Sequence, residues 1–206
     1  CKTIERLIRD LLVNHLGDNS LIHDTQHGFR RKRSCLTNLL DFFNQVINVY
    51  DHHKAVDVIY LDFQKAFDKV PHRRLLHKVS ELGIGGNVLR WLRAWLTGRK
   101  QRVSIGQAMS EWAPVTSGVP QGSVLGPVLF LIYVNDMDAG LLCKVSKFAD
   151  DTKLCHRAWR EQDRLAIQQD LEKLIQWSEA WQMPFNVAKC TVMHMGRHNA
   201  NFNYTM

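Results

Sequence analysis

Val56-Asp-Val-Ile-Tyr-Leu-Asp-Phe63 is the stretch that decides the fold. It is short, β-branched and aromatic, and almost continuously apolar, which predicts a strand buried on both faces. Asp62 stands at its end. Further on, Leu142–Phe148 and Thr152–Cys155 flank Asp150-Asp151, which predicts a hairpin with two acids at its tip. A buried carboxylate is costly unless a cation compensates it, and adjacent carboxylates repel. Bound Mg²⁺ removes both conflicts. Three carboxylates from two strand ends suit two ions about 3.5–4 Å apart. An isolated Asp-Asp pair is more commonly an exposed turn.

Helical patterns surround these acids. Ile4, Leu7, Ile8, Leu11 and Leu12 predict a helix over residues 3–16, closed by Gly17. Ser34 is placed to cap a second helix, with Leu36, Leu39, Leu40, Phe43 and Ile47 on one face. Pro71 precedes a helix over about 73–82, closed by Gly83; Asn87 is placed to cap another that carries Trp91 and Trp95 and ends at Gly98. Gln101–Ile105 and Trp112–Thr116 predict a strand pair across a Gly106 turn, and the glycine- and proline-rich Ser117–Pro127 predicts a loop before a short apolar helix to Val134. A long amphipathic helix is expected over about Glu161–Trp181, then a strand or strand pair over Val187–Met195. Without a regular βαβ beat, the class is α+β.

The 206 residues are 45% hydrophobic and 23% charged, which excludes a disordered chain. The net charge of +7 suits a polyanion partner as well as a merely basic surface. The five cysteines, Cys1, Cys35, Cys143, Cys155 and Cys190, are odd in number and widely spaced, without a CxxC pair. That pattern speaks against a disulfide framework or zinc site and predicts a reducing compartment. The ten histidines show no metal-ligand spacing, and His52-His53 reads as surface. Cys1–Asp10 is charged and amphipathic, unlike a signal peptide. The longest apolar run, Val124–Val134, is broken by Gly126 and Pro127 and is too short for a membrane span, so no membrane partner is expected. A start without Met and a polar stretch Arg197–Met206 predict a piece of something longer.

Tyr60-Leu-Asp-Phe-Gln-Lys-Ala-Phe-Asp-Lys-Val70 resembles motif A of non-LTR reverse transcriptases, Ser117-Gly-Val-Pro-Gln-Gly-Ser-Val-Leu-Gly-Pro127 their motif B, and Phe148-Ala-Asp-Asp151 their motif C. Cys1-Lys-Thr-Ile-Glu-Arg6 and Gln26-His-Gly-Phe-Arg30 resemble the N-terminal blocks of LINE elements such as CR1 and Jockey. Trp181-Gln-Met-Pro-Phe-Asn-Val-Ala-Lys189 resembles motif D. The blocks keep the family's order over nearly the whole chain.

The resemblance implies a right-hand polymerase: fingers from 1–55 and 71–115, a palm from 56–70 and 116–206 built on an antiparallel sheet flanked by helices, and a thumb absent from this stretch. It implies an RNA-directed DNA polymerase, a nucleotidyltransferase using two Mg²⁺ ions (or Mn²⁺), with an RNA template, a DNA primer or target DNA, and deoxynucleoside triphosphates as partners. Asp62, Asp150 and Asp151 would be metal ligands and catalytic, and Lys189 would protonate the leaving pyrophosphate. Phe67 would be the steric gate against a ribose 2′-OH; Phe63, Gln121, Gly122 and Arg30 would bind substrate. Arg31, Lys32 and Arg33 read equally as a solvated basic loop. Trp91, Trp95, Trp177 and Trp181 read as core. The family implies residence in the nucleus and in a cytoplasmic ribonucleoprotein; oligomeric state stays open. Rival readings are a decayed or co-opted nucleic-acid-binding remnant without polymerase activity, and a group II intron maturase.

Overall fold

The strand expected from residue 56 forms the inside of a four-stranded antiparallel sheet. The computed structural model describes residues 2–53 and 55–206, without the side chains of His52 and His53. Cys1 and the surface reading of His52-His53 therefore lie outside the described residues. In chain order the elements are α1 (Lys2–Asp18), α2 (Cys35–His53), β1 (Val56–Leu61), α3 (Ala66–Lys69), α4 (His72–Glu81), α5 (Gly86–Leu96), β2 (Lys100–Gln101), β3 (Ser104–Ile105), β4 (Ala108–Met109), β5 (Ala113–Pro114), α6 (Gly126–Tyr133), β6 (Lys144–Phe148), β7 (Asp151–Arg157), α7 (Glu161–Trp181) and β8 (Thr191–Met195). Short 3₁₀ turns cover Asn135–Asp138 and Val187–Lys189. The chain divides into two compact units, residues 22–64 with 134–206, and residues 1–21 with 65–133.

The first unit carries the sheet, in the order β6-β7-β1-β8. Val56, Val58 and Cys155 form one packed cluster with Phe42 and Val46 of α2. α7 packs along β7 and buries Ile167, Leu171, Leu174 and Ser178, while Ile175, of the same amphipathic stripe, is half-buried. Beyond β6 the segment at Gln26 makes a parallel bridge to Lys147: the His27 N–H donates to the Lys147 carbonyl and the Lys147 N–H to the Thr25 carbonyl, both at 2.8 Å.

Lys147 itself is fully buried, and its Nζ lies 2.7 Å from Asp138 Oδ1 and 3.0 Å from the Asn135 carbonyl. Burial pushes the Asp138 carboxyl up, but the Lys147 ammonium and hydrogen bonds from Lys147, Thr25 and His23 outweigh it and hold it below its ordinary value. Burial pulls Lys147 down against the attraction of Asp138.

The second unit is mostly helical. α4 packs on α5 and α6, and α1 on α6. α6, Gly-Pro-Val-Leu-Phe-Leu-Ile-Tyr, is apolar on all sides and buried on nearly all of them, as such a helix must be. Lys78 is buried against its end and donates to the Tyr133 carbonyl at 2.6 Å. Glu5 of α1 accepts the Val124 N–H at 2.9 Å.

Several expectations need correction. On α2 the buried residues include Phe42 and Val46, whereas Leu36, Leu39, Leu40, Phe43 and Ile47 are exposed. On α1, Ile8, Leu12 and Leu16 are buried while Ile4, Leu7 and Leu11 are exposed. Both helices carry apolar residues around more than half their girth, so periodicity alone does not choose the stripe. Gly85, not Asn87, is the N-cap of α5. The pair expected across Gly106 is two short ladders, β2 with β5 and β3 with β4. Residues 187–189 form a 3₁₀ turn, and β8 alone is strand.

Replacing Asp138 with alanine would leave Lys147 buried without its anion. The expected cost is about 3 kcal/mol of unfolding free energy, read by urea denaturation; a loss within error of zero would show that the carbonyls alone satisfy the ammonium.

Candidate active site

β1 and β7 run antiparallel, and their last paired residues are Leu61 and Thr152. That register delivers Asp62 and Asp151 to the same end of two neighbouring strands. Phe148 pairs with Asp151, so Ala149-Asp150 is a two-residue hairpin loop. Asp150 alone occupies the tip; Asp151 is the first residue of β7, which narrows the expectation of two acids there. Ala149 sits at φ 56°, a left-handed conformation that two-residue hairpin loops usually assign to glycine or asparagine.

The acids are poorly balanced. Asp150 is half-buried and Asp151 exposed. Burial pushes the Asp150 carboxyl above its ordinary value; its own backbone N–H opposes this in part, and the charges of Asp151 and Asp62 add to the rise. Lys189 brings its Nζ to 3.6 Å from Asp62 Oδ2 from an exposed position on the 3₁₀ turn. The Asn186 N–H holds the Asp62 carbonyl at 2.8 Å, which ties that turn to the end of β1. Among the described residues no group of three or more His, Cys, Asp or Glu side chains forms a ready metal cage. An open cluster still fits Mg²⁺, which usually takes one or two carboxylates and keeps waters and substrate phosphates for the rest.

A cleft of about 410 Å³ opens beside these residues, lined among others by Asp62, Asp151, Lys189, Tyr60 and Lys153. The sequence reading missed Lys153 and Tyr60. Strand parity holds the signal: Lys153 is two residues from Asp151, Tyr60 two from Asp62, and the register pairs Tyr60 with Lys153. Phe63 lies elsewhere. Its ring is buried and stacked on Phe185 at 4.6 Å between centroids, leaving little face for a substrate. Arg30 is turned into its own loop, donating to the His23 carbonyl at 2.8 Å and the Gln26 carbonyl at 3.3 Å.

The other expected residues belong to the helical unit. Phe67 stacks on Phe130, with ring centroids 4.4 Å apart. The loop from Ser117 lies against the short α3: the Gly118 N–H donates to the Val70 carbonyl and the Val119 N–H to the Phe67 carbonyl, both at 2.8 Å. Gly118 has φ 89°, and a Cβ there would lie 2.8 Å from Asp68 Cα, so no other residue fits. Gln121 donates to Asp68 at 2.9 Å and lines an open groove of about 650 Å³ with Lys65, Arg99 and Lys100. Gly122, at φ 75°, has nothing within 4 Å of its missing Cβ. Trp91 and Trp95 are half-buried and stack on each other at 6.1 Å.

Residues 1–205 match the family described as reverse transcriptase (RNA-dependent DNA polymerase). A probable RNA-directed DNA polymerase from transposon X-element of Drosophila melanogaster is 31% identical over 91% of this chain and 21% of its own length. The RNA-directed DNA polymerase from mobile element jockey of the same species is 29% identical, over 92% of this chain and 22% of its own length. The chain thus spans about a fifth of these relatives. Among solved structures, telomerase from Candida albicans in complex with a fragment of telomeric RNA matches with a TM-score of 0.71 at 12% identity, covering 96% of this chain and 35% of that one. Apo telomerase from Candida tropicalis, truncated from its C-terminal domain, gives 0.68 at 12% identity, over 98% of this chain and 42% of that one. The fold is shared with both, and the kinship with Jockey-like elements expected from the motifs is what the relatives display. Among the described residues no helix is long and apolar enough to cross a membrane.

A raised Asp150 pKa has a definite sign for stability. The folded chain binds this proton more tightly than the unfolded one. Its contribution is fully present below the unfolded value, about 3.9, and is lost as pH rises through the folded one. Asp150→Asn is therefore expected to raise the melting temperature at pH 7 in chelator, and the gain should shrink to nothing in acid. An unchanged or lower melting temperature at pH 7 would contradict a carboxyl raised by burial and by its acidic neighbours.

Proposed function

This chain belongs to the reverse transcriptase (RNA-dependent DNA polymerase) family, and from that premise we propose that it adds deoxynucleotides to a primer 3′-hydroxyl on an RNA template. The observation that carries the reading is the register of β1 against β7, which sets Asp62 beside Asp151 and the Asp150 turn. Asp62 and Asp150, with Asp151, would hold Mg²⁺ or Mn²⁺; two such ions, when bound, supply the positive charge that favours the attacking alkoxide and the leaving pyrophosphate.

The chain's own residues do the rest. Lys189 is an exposed ammonium near Asp62, free to swing toward a pyrophosphate and protonate it. Lys153 and Tyr60, along the cleft, offer a cation and a phenol to a phosphate. Phe67, fixed by its stack on Phe130, is suited to exclude a 2′-hydroxyl. The open backbone at Gly122 and the amide of Gln121 suit a nucleotide or template strand, and Lys65, Arg99 and Lys100 suit its phosphates. Arg30 shapes its loop, while the exposed Arg31 and Lys32 present charge to a template. Residues 1–55 and 71–115 correspond in this reading to fingers and 56–70 and 116–206 to palm. The RNA fragment bound by the Candida albicans telomerase supports an RNA partner. A nuclear and cytoplasmic ribonucleoprotein location is the one the retrotransposon family would imply. The remnant reading is not favoured, because every acid is in place and the relatives are polymerases.

Primer extension on primed RNA with deoxynucleotides and Mg²⁺ tests the proposal. Asp150→Asn is expected to cut the rate by about 10³-fold or more. Primed RNA bound by the parent without any addition would return the remnant reading. Phe67→Val is expected to raise ribonucleotide incorporation by about tenfold or more; unchanged sugar selectivity would remove the gate from Phe67.

A further inference from the structure

The Asp150 turn is held from outside the hairpin. Gln26 is almost fully buried, and its side-chain amide faces Ala149. Oε1 accepts the Ala149 N–H at 2.9 Å and the Gly28 N–H at 2.8 Å. Nε2 donates to the Ala149 carbonyl at 3.2 Å. One side chain thus grips both backbone polar groups of the residue immediately before Asp150. Glycine at 28 makes the approach possible, since a Cβ there would lie 2.3 Å from the Ala149 nitrogen.

Ala149 needs such a grip. A non-glycine residue at φ 56° costs free energy that local sequence does not return, so surrounding structure must over-determine the conformation. The loop segment is itself anchored by the bridge from Gln26 to Lys147 and by the buried Lys147–Asp138 pair. Nothing about Gln26 requires a substrate: its side chain is sealed from solvent and bonds to backbone groups.

We propose that Gln26 is a positioning residue for Asp150, fixing the Ala149 peptide and through it the direction in which the carboxylate meets a divalent cation. This rests on the polymerase reading above. The chemistry is that of an outer-shell group, which orients a ligand and does not touch the reaction; loss of such a group typically costs about 10–100-fold in metal affinity or activity.

Three readouts on Gln26→Met, Gln26→Glu and Asp150→Asn test it. Gln26→Met keeps the shape and removes every hydrogen bond of the side chain; Gln26→Glu keeps an oxygen for both N–H groups and, protonated by burial, an O–H for the Ala149 carbonyl. In metal-free protein, Gln26→Met is expected to speed amide exchange at Ala149 by about tenfold or more, the signature of a lost hydrogen bond of about 1.4 kcal/mol. Mn²⁺ binding, followed by electron paramagnetic resonance, is expected to weaken about tenfold. In primer extension kcat should fall about 10–100-fold while the nucleotide KM stays within about twofold. Gln26→Glu is expected to recover most of the amide protection and Mn²⁺ affinity; if Gln26→Met does not fold, Gln26→Asn, whose amide is one methylene short of Ala149, is expected to show the same losses and carries the test. A folded Gln26→Met that binds Mn²⁺ within about twofold of the parent overturns the role, as does Gln26→Glu losing as much as Gln26→Met. If Asp150→Asn itself leaves Mn²⁺ binding and extension unchanged, the polymerase reading fails and this role with it. If Asp150→Asn abolishes both and Gln26→Met neither, the role of Gln26 alone is lost.

Discussion

The antiparallel pairing of β1 with β7 is the constraint on which the acidic site depends. Side chains alternate along a strand, so a slip of one residue would turn one strand's pair, Tyr60 and Asp62 or Asp151 and Lys153, to the opposite face and part the acids. The slip is prevented by burial: Val56, Val58 and Cys155 are packed against α2, and Ile59 and Leu154 are also buried, so a shifted register would bring polar residues into the core. The apolar residues of this sheet thus set the positions of its carboxylates.

Elsewhere the same unit matches its buried carboxylates fully. Asp57 takes hydrogen bonds from His194, Asn199 and Tyr204. Asp170 takes the N–H groups of Leu142 and Cys143 and pairs with Lys173. Asp138 has Lys147, Thr25 and His23. Asp150 is different: its pKa rises because burial and two like charges outweigh the help it receives. Asp163 has Arg157 and the Arg160 N–H. A protein that satisfies these acids and leaves the half-buried Asp150 in conflict has placed that conflict where an external cation can resolve it.

What the sequence disclosed and what it hid divide along physical lines. Val56–Leu61 was legible because a strand covered on both faces needs a continuous apolar run, and Glu161–Trp181 because a long helix repeats its stripe many times. The acids were legible through their motifs. The buried faces of α1 and α2 were not, because Leu36, Leu40 and Phe43 are as apolar as the Phe42 and Val46 that face the sheet. The resemblance makes Phe63 a substrate-binding residue; in the fold its ring lies in the stack with Phe185. Gln26 opens a block that resembles the family, but its task was hidden: its partner Ala149 is more than a hundred residues away, and only the fold brings them together.

The sheet's two edges are unlike. On the β6 side the Gln26 bridge and the segment around it occupy the hydrogen-bonding positions near the acids. On the other side β8, Thr191-Val-Met-His-Met195, is the edge strand, with Thr191, Val192 and Met193 exposed and neither lysine nor proline to discourage pairing. Edges of that kind are templates for further strands. Growth of this sheet is therefore directional: it can add a strand beside β8 without disturbing the hairpin, whereas a strand inserted next to β6 would have to displace the peptide that holds the acid in place.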